Sequence, residues 1–210
     1  MDIKDINNVL KFHNLCCKLK NLKRTGWVYW HVSAERVESV AEHIFGVCAL
    51  ATAILSNLKN HNLDENKILA MCALHEMEEV FIGDISDLDD NLRVTKKERG
   101  QKAVEELFAD LINPQHFTNL IAEFEEQKTP ESKFARACDK LEADLQAYMY
   151  EGSIDYENAE KHIVNHKIVV DSIKNGGTCL GDHFVFSNLH RYDEMFTQIA
   201  LQAKNFYKKS

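Results

Sequence analysis

A chain of 210 residues that is 45% hydrophobic and 28% charged can fill the core of one sizeable domain, and nothing in it obliges two, so residues 1–210 are read as a single domain. Its formal net charge of -8 argues against nonspecific binding to nucleic acid or to an anionic membrane, which both need a basic face; a small anionic substrate met by a few local cations or a metal is still allowed. Only 8 glycines and 2 prolines interrupt a sequence rich in Leu, Ala, Glu and Lys, so an all-α protein is expected.

The first predicted element runs from Ile3 to Leu22, where Ile3, Ile6, Val9, Leu10, Leu15, Leu19 and Leu22 recur at roughly helical spacing, and it ends near Lys23-Arg-Thr-Gly26. Gly26-Trp-Val-Tyr-Trp-His-Val32 has the aromatic and β-branched content of an extended segment but is too short and isolated for a sheet. A loop with large rings to bury is expected there. Ser39-Val-Ala-Glu42 matches the capping box, in which the serine hydroxyl accepts from the N3 amide and the glutamate accepts from the serine amide. A helix therefore starts at Ser39, and Val40, Ile44, Val47, Cys48, Ala51 and Leu55 carry its period to about Leu58. His43 falls in its first turn, where the positive helix end disfavours imidazolium and keeps a nitrogen lone pair available to a metal.

Asn62 or Asp64 caps a third helix, which runs through Ile68, Leu69, Cys72, Ala73, Glu76 and Val80 and stops at Gly83. Asp87-Leu-Asp-Asp-Asn91 reads as a polar loop, Thr95 to Ile112 as a charged amphipathic helix ending at Asn113-Pro114, and His116 to Glu126 as a short one. Thr129-Pro130 pairs a cap with proline at the first helical position and opens a long helix through Phe134, Cys138, Leu141, Leu145, Tyr148 and Met149 to Gly152, with Asp139 inside it. Helices over about Tyr156 to Lys174 and Leu189 to Tyr207 flank a loop containing Gly176-Gly-Thr-Cys-Leu-Gly181. No internal repeat, low-complexity tract or linker divides the chain.

Cys16, Cys17, Cys48, Cys72, Cys138 and Cys179 show no C-x-x-C spacing and read as reduced core residues. Met1-Asp-Ile-Lys-Asp-Ile has no basic region followed by an apolar one, and no stretch approaches the ~18 uncharged apolar residues of a membrane span. The cytoplasm is the expected compartment.

The chemistry concentrates in Ala73-Leu-His-Glu-Met-Glu-Glu-Val-Phe-Ile-Gly-Asp84, where His75, Glu76, Glu79 and Asp84 interrupt an apolar run. In a regular helix at about 100° per residue, His75, Glu76 and Glu79 fall within roughly a 100° arc, so an imidazole and two carboxylates can converge on one point. A divalent cation is the simplest occupant. His43, the His75-Glu76 pair and Asp139 come from three separate predicted helices, as in helical bundles that assemble a metal site in the interior. Two imidazoles and two carboxylates suit Mn, Fe, Co or Zn better than Ca or Mg. The bland readings are a capping or core role for His43, a solvated glutamate at Glu79, a turn-capping aspartate at Asp84, an ordinary basic surface at Arg24 and core anchors at Trp27 and Trp30. His75-Glu76 also begins like an H-E-x-x-H zinc-protease helix, but position 79 is glutamate, so the template fails. His162 and His166 form an i, i+4 pair with no carboxylate cluster and read as surface residues, and His183 has no assigned role.

Arg24-Thr-Gly-Trp-Val28, Glu38-Ser-Val-Ala-Glu-His43, His75-Glu76 and Gly83-Asp84, in this order, make the chain resemble the HD-domain phosphohydrolases, and within them the 5′-deoxynucleotidase branch, over about residues 10 to 175. The resemblance implies an all-α HD-domain helical bundle, a homodimer, and a divalent transition metal held by His43, His75, Glu76 and Asp139. It implies further that Glu79 is the catalytic carboxylate, that Asp84 contacts the sugar, and that Arg24 and Trp27 face the substrate, with phosphate and nucleotide contacts. One position departs from the signature: Glu76 stands where the family usually has aspartate, and its extra methylene changes the reach of the carboxylate from the helix. The activity implied is hydrolysis of (deoxy)nucleoside 5′-monophosphates, with Glu79 relaying a proton and Arg24 clamping the phosphate. Two alternatives stay open at this point: an HD phosphohydrolase acting on another nucleotide phosphoester, and a metal- or nucleotide-binding protein without catalysis.

Overall fold

In the computed structural model, which describes residues 1–33, 35, 37–86, 90–154 and 167–207 (backbone only at 90–97, 168, 169, 172 and 173), the described residues are mainly helical. In order come α1 (Ile3–Cys16), a 3-10 turn (Cys17–Asn21), α2 (Thr25–Tyr29), α3 (Val40–Asn57), α4 (Glu65–Leu74), α5 (Glu79–Ile82), α6 (Asp90–Phe108), α7 (Pro114–Glu126), α8 (Pro130–Tyr150), a 3-10 turn (Glu151–Ser153), α9 (Lys167–Lys174), α10 (Leu180–Asn188), a 3-10 turn (Leu189–Arg191) and α11 (Glu194–Tyr207). Among the described residues there is no strand, only isolated bridges pairing Lys23 with Ser39 and Val32 with Ile154. The chain groups into two compact units, one of Met1–Thr25 with Glu38–Arg136 and one of Gly26–Val37 with Ala137–Ser210.

The first unit has two apolar clusters that share Met77 and Val80. In one, Val104, Leu107 and Phe108 of α6 and Ile121 of α7 pack with Phe12 and Leu15 of α1 and with Leu74. In the other, Leu19 meets Val40 and Ile44 of α3 together with Leu22 and Cys48. The expected helix over Ile3–Leu22 therefore ends at Cys16, and the tighter 3-10 winding of Cys17–Asn21 places Leu19, 1% exposed, in the second cluster.

α3 begins where the sequence predicts. Ser39 Oγ accepts from the Glu42 amide (3.3 Å) and the Ser39 amide donates to Glu42 Oε2 (2.8 Å), the reciprocal bonds of a capping box. Its composition comes nearer to a membrane span than expected, with a mean hydropathy of 1.4 over 18 residues, by length and composition alone. In this unit Val40, Ile44, Val47, Ala51, Ile54 and Leu55 are buried, and 39% of that window is buried in all. Asp64, not Asn62, caps α4, accepting from Lys67 N at 3.0 Å. α7 starts two residues earlier than expected, at Pro114, because Asn113 is its cap and proline at the first position needs no amide partner. The backbone of α6 starts at Asp90 and stops at Phe108, where the last buried ring lies, leaving Ile112 86% exposed in the following turn. The loop expected over 87–91 lies outside the described residues at 87–89.

In the second unit the segment expected as a loop contains a turn of helix. Trp30 N donates to Gly26 O (3.1 Å), and His31, in the left-handed region at φ 50, ends the turn. Trp27 stacks on Phe184 (centroids 5.0 Å) and sets its edge to Tyr150 (5.2 Å). The glycine-rich stretch expected as a loop gives way at Leu180 to α10, a helix the sequence reading did not anticipate. Gly181 sits in its first turn because a Cβ there would lie 2.2 Å from the Tyr148 ring, so this glycine serves close packing and not chain reversal. The last helix begins at Glu194, after Leu189–Arg191 wind as 3-10. Buried Asp144 on α8 accepts from Asn188 Nδ2 (2.7 Å) and Tyr192 Oη (2.6 Å), and burial outweighs those donors to push its carboxyl up to about 7. Asp182 shows the opposite balance: burial raises it, but Lys204, Thr178 and Tyr148 together hold it down to about 2. Of the expected helix over 156–174, only 167–174 lies within the described residues.

Candidate metal centre

The capping box at Ser39 fixes the first turn of α3, and one residue beyond it His43 points into the first unit, 0% exposed. His75 is the C-cap residue of α4, 2% exposed. Its Nδ1 lies 2.8 Å from the Cys72 carbonyl, which can only accept, so Nδ1 carries the proton and the lone pair of the neutral ring is on Nε2. The His43 and His75 rings meet edge-on at 5.6 Å, with Phe124 against His75 at 5.2 Å. Glu76 follows directly, its Oε2 3.9 Å from His43 Nε2. One ligand atom from each of His43, His75 and Glu76 lies within 4.8 Å of the others.

Two imidazoles and a carboxylate gathered in a largely buried place are a donor set for a borderline transition metal, and a single ion with bonds of 2.0–2.2 Å spans up to about 4.4 Å, enough for the 3.9 Å between Glu76 and His43. The residues present fit the implied metal. They do so without the regular helix the sequence argument assumed. α4 stops at Leu74, and Met77 N, Glu79 N and Val80 N donate to Leu74 O, Glu76 O and Met77 O, three residues back, in a tightened turn before α5. The His75 ring occupies the Cys72 carbonyl at the start of this tightening.

Glu79 opens α5 and is 1% exposed, whereas its neighbour Glu78 is partly exposed, so the solvated-glutamate reading is excluded for the residue that matters. α5 stops at Gly83, whose amide donates to Glu79 O (2.9 Å) at φ 77, a conformation glycine adopts without strain. Asp84 is then brought back to the start of α2. Its carboxylate accepts from the Thr25 amide, its carbonyl from Thr25 Oγ1 (2.8 Å), and Arg24 Nη1 lies 3.6 Å from its Oδ1. The same Nη1 donates to both oxygens of Glu76, at 2.9 and 2.8 Å. His43, His75, Glu76, Glu79, Asp84 and Arg24 are thus all placed within the first unit.

Two expected site residues belong to the second unit. Asp139, on α8, is 2% exposed and has Lys140 Nζ 3.5 Å from Oδ2. Trp27 is also 2% exposed, covered by Phe184 and Tyr150. Half-buried His183 stacks on Trp30 (6.4 Å), and burial lowers its pKa. The His162–His166 pair lies outside the described residues. The sequence reading did not single out Glu38, 8% exposed, which offers a carboxylate oxygen within 4.8 Å of a His43 ring nitrogen. Its place at the head of the Glu38–His43 motif, directly before the Ser39 cap, is the signal that was available.

Comparison with known proteins places this chain in a family. A model of the HD domain matches residues 16–174. A 5′-deoxynucleotidase HDDC2 of Dictyostelium discoideum is 31% identical over 193 residues, covering 88% of this chain and 95% of its own, and one of Bos taurus is 32% identical over 160 residues, covering 75% and 74%. A crystal structure from Magnetospirillum magnetotacticum, described as a predicted metal-dependent phosphohydrolase, matches the fold with a TM-score of 0.70 at 20% identity over 98% of this chain and 94% of that one. With the family model matching three quarters of its length and relatives 31–32% identical over most of it, the chain belongs to the HD-domain family.

Proposed function

We propose that this chain hydrolyses (deoxy)nucleoside 5′-monophosphates to nucleoside and inorganic phosphate, using a divalent transition metal (Mn, Co, Fe or Zn) held by His43, His75, Glu76 and, from the second unit, Asp139. The observation that carries the reading is the His43–His75–Glu76 set, with both histidines buried and the part-buried Arg24 guanidinium bonded to the Glu76 carboxylate, and with the buried Glu79 three residues further on. The relatives' names support phosphomonoesters of deoxynucleotides as the substrate class. The family match spans both units, which supports treating 1–210 as one domain.

A cation in this site supplies Lewis acidity that activates water and offsets charge on the phosphoryl oxygens. The chain's own groups do the rest. His75 is fixed as a lone-pair donor at Nε2 by the Cys72 carbonyl. Glu79, shielded from solvent, accepts a proton from the attacking water and returns one to the departing sugar oxygen. Arg24 orients the phosphate and Asp84, held by Thr25, meets the sugar. Trp27, 2% exposed and covered by Phe184 and Tyr150, takes the core-anchor reading within the second unit. The reading keeps the protein in the cytoplasm as a homodimer whose six cysteines are free thiols.

Purified protein is assayed for phosphate release from a panel of 5′-deoxy- and ribonucleoside monophosphates and cyclic nucleotides, each with added Mn, Co or Zn. Release from deoxynucleoside monophosphates is expected. Turnover of cyclic nucleotides alone points to the other phosphoester, and a tightly held ion with no turnover of any substrate points to a sensor; either result rejects the proposal.

A further inference from the structure

The guanidinium of Arg24 is engaged by the protein itself. Nη1 donates to Oε1 and Oε2 of Glu76 at 2.9 and 2.8 Å and lies 3.6 Å from Asp84 Oδ1, with the three side chains 16%, 14% and 6% exposed. Its backbone is fixed as well: Arg24 N donates to Glu38 O (3.1 Å), and the next residue, Thr25, binds Asp84 through both its amide and its hydroxyl. Arg24 is therefore held in the strand of chain that closes on α3, and its charged end reaches across to the carboxylate next to His75.

We infer that Arg24 is a positioning residue for the metal-ligating carboxylate of Glu76, and that metal affinity depends on it in the absence of any nucleotide. The inference rests on the proposed metal role of Glu76. A glutamate has one more rotatable bond than the aspartate usual at this position and needs a partner to hold its carboxylate toward the two imidazoles. Arg24 is that partner. Shortening the side chain to aspartate withdraws the carboxylate by roughly one C–C bond, ~1.5 Å, and takes it out of reach of Nη1. Outer partners of metal ligands are worth about 10- to 100-fold in metal affinity. The cost falls on the metal because a carboxylate swinging free of its partner loses orientation before it loses charge.

The test is a cobalt titration of the metal-stripped full chain, followed by visible absorbance, for wild type, R24M, R24K, E76D and R24M/E76D, with folding checked by circular dichroism. R24M is expected to weaken cobalt binding about 10-fold and to change the absorbance band of the bound ion, with R24K recovering part of the loss because it keeps the charge but not the fork. In the E76D background, removing Arg24 is expected to cost less than about 2-fold, since the pair no longer exists. Should R24M fail to fold, R24K against R24K/E76D gives the same comparison. Cobalt affinity unchanged in R24M, or an equal loss in both backgrounds, overturns the inference while leaving the proposed hydrolase intact, because turnover is measured separately. Wild type that binds no cobalt overturns both.

Discussion

Ser39 offers a direct test of how the fold delivers His43. Its hydroxyl accepts from the Glu42 amide at 3.3 Å and donates to Glu42 Oε2 at 3.0 Å, while its own amide donates to the same oxygen at 2.8 Å. Ser39→Ala deletes the first two bonds and keeps the third. It leaves the Glu42 amide with only its bond to the Ser39 carbonyl (3.0 Å). The accepting bond is long, so the loss falls in the middle of the range for N-caps, about 1 kcal/mol, which for a chain of this length is about 2–4 °C in Tm. Ser39→Gly is expected to cost only a few tenths of a kcal/mol, since without a Cβ water reaches the amide. In this order, serine above glycine above alanine, the placing of glycine above alanine is the reverse of what backbone entropy alone gives. If the loosened turn is transmitted in full to His43, 1 kcal/mol is about fivefold in metal affinity. Thermal unfolding by circular dichroism and cobalt titration of the three proteins measure both effects. Glycine less stable than alanine, or an alanine variant with unchanged Tm and metal affinity, refutes the claim that this cap sets the first turn of α3.

Three further outcomes follow from other parts of the chain. Glu79→Gln is expected to lower the turnover number by at least about 100-fold while metal content stays at the wild-type level; equal turnover in a metal-replete variant removes the proton-relay role. Gly181→Ala forces a methyl against the Tyr148 ring at 2.2–2.4 Å, where Tyr148 also bonds Asp182 (3.0 Å) and stacks on Tyr207 (5.7 Å), so overpacking and a lost hydrogen bond together are expected to cost about 2–4 kcal/mol, read as a lowered denaturant midpoint. For Asp144, whose folded carboxyl is raised to about 7, the folded chain binds more protons than the unfolded one from the usual carboxylate range up to that value. Stability therefore falls as pH rises through about 4 to 7 and levels off above it, and the difference in unfolding free energy between wild type and Asp144→Asn measured across pH 4–8 isolates this slope. A flat difference contradicts the raised carboxyl.

What the sequence made legible was whatever local chemistry decides. The Ser39–Glu42 box, the Asp64 cap and the terminal Gly83 are all short-range bonds, and α3 and α4 start, and α5 stops, where those residues require. His75, Glu76 and Glu79 were recognised because polar groups stood out against an apolar period, His43 because the capping box placed it in a first turn, and the burial of His43, His75 and Glu79 agrees with that. What was missed depends on distant partners. Gly181 looked like a loop glycine because the Tyr148 ring it accommodates is 33 positions away in sequence, and α10 was lost with it. The break between α4 and α5 was hidden because every residue across it favours a helix, while the His75 ring takes up the Cys72 carbonyl. The Arg24–Glu76 pair, 52 residues apart, left no periodic trace, and the basic run around Arg24 suggested an ordinary surface.

The most direct measurement of the central claim is phosphate release from a deoxynucleoside monophosphate by metal-stripped protein as manganese or cobalt is added back in known amounts. The account predicts no release from the stripped chain, a rise in proportion to bound metal that ends at one ion per chain, and loss of both binding and release in His75→Ala. Hydrolysis that persists in the stripped protein, or that is kept by His75→Ala, contradicts it.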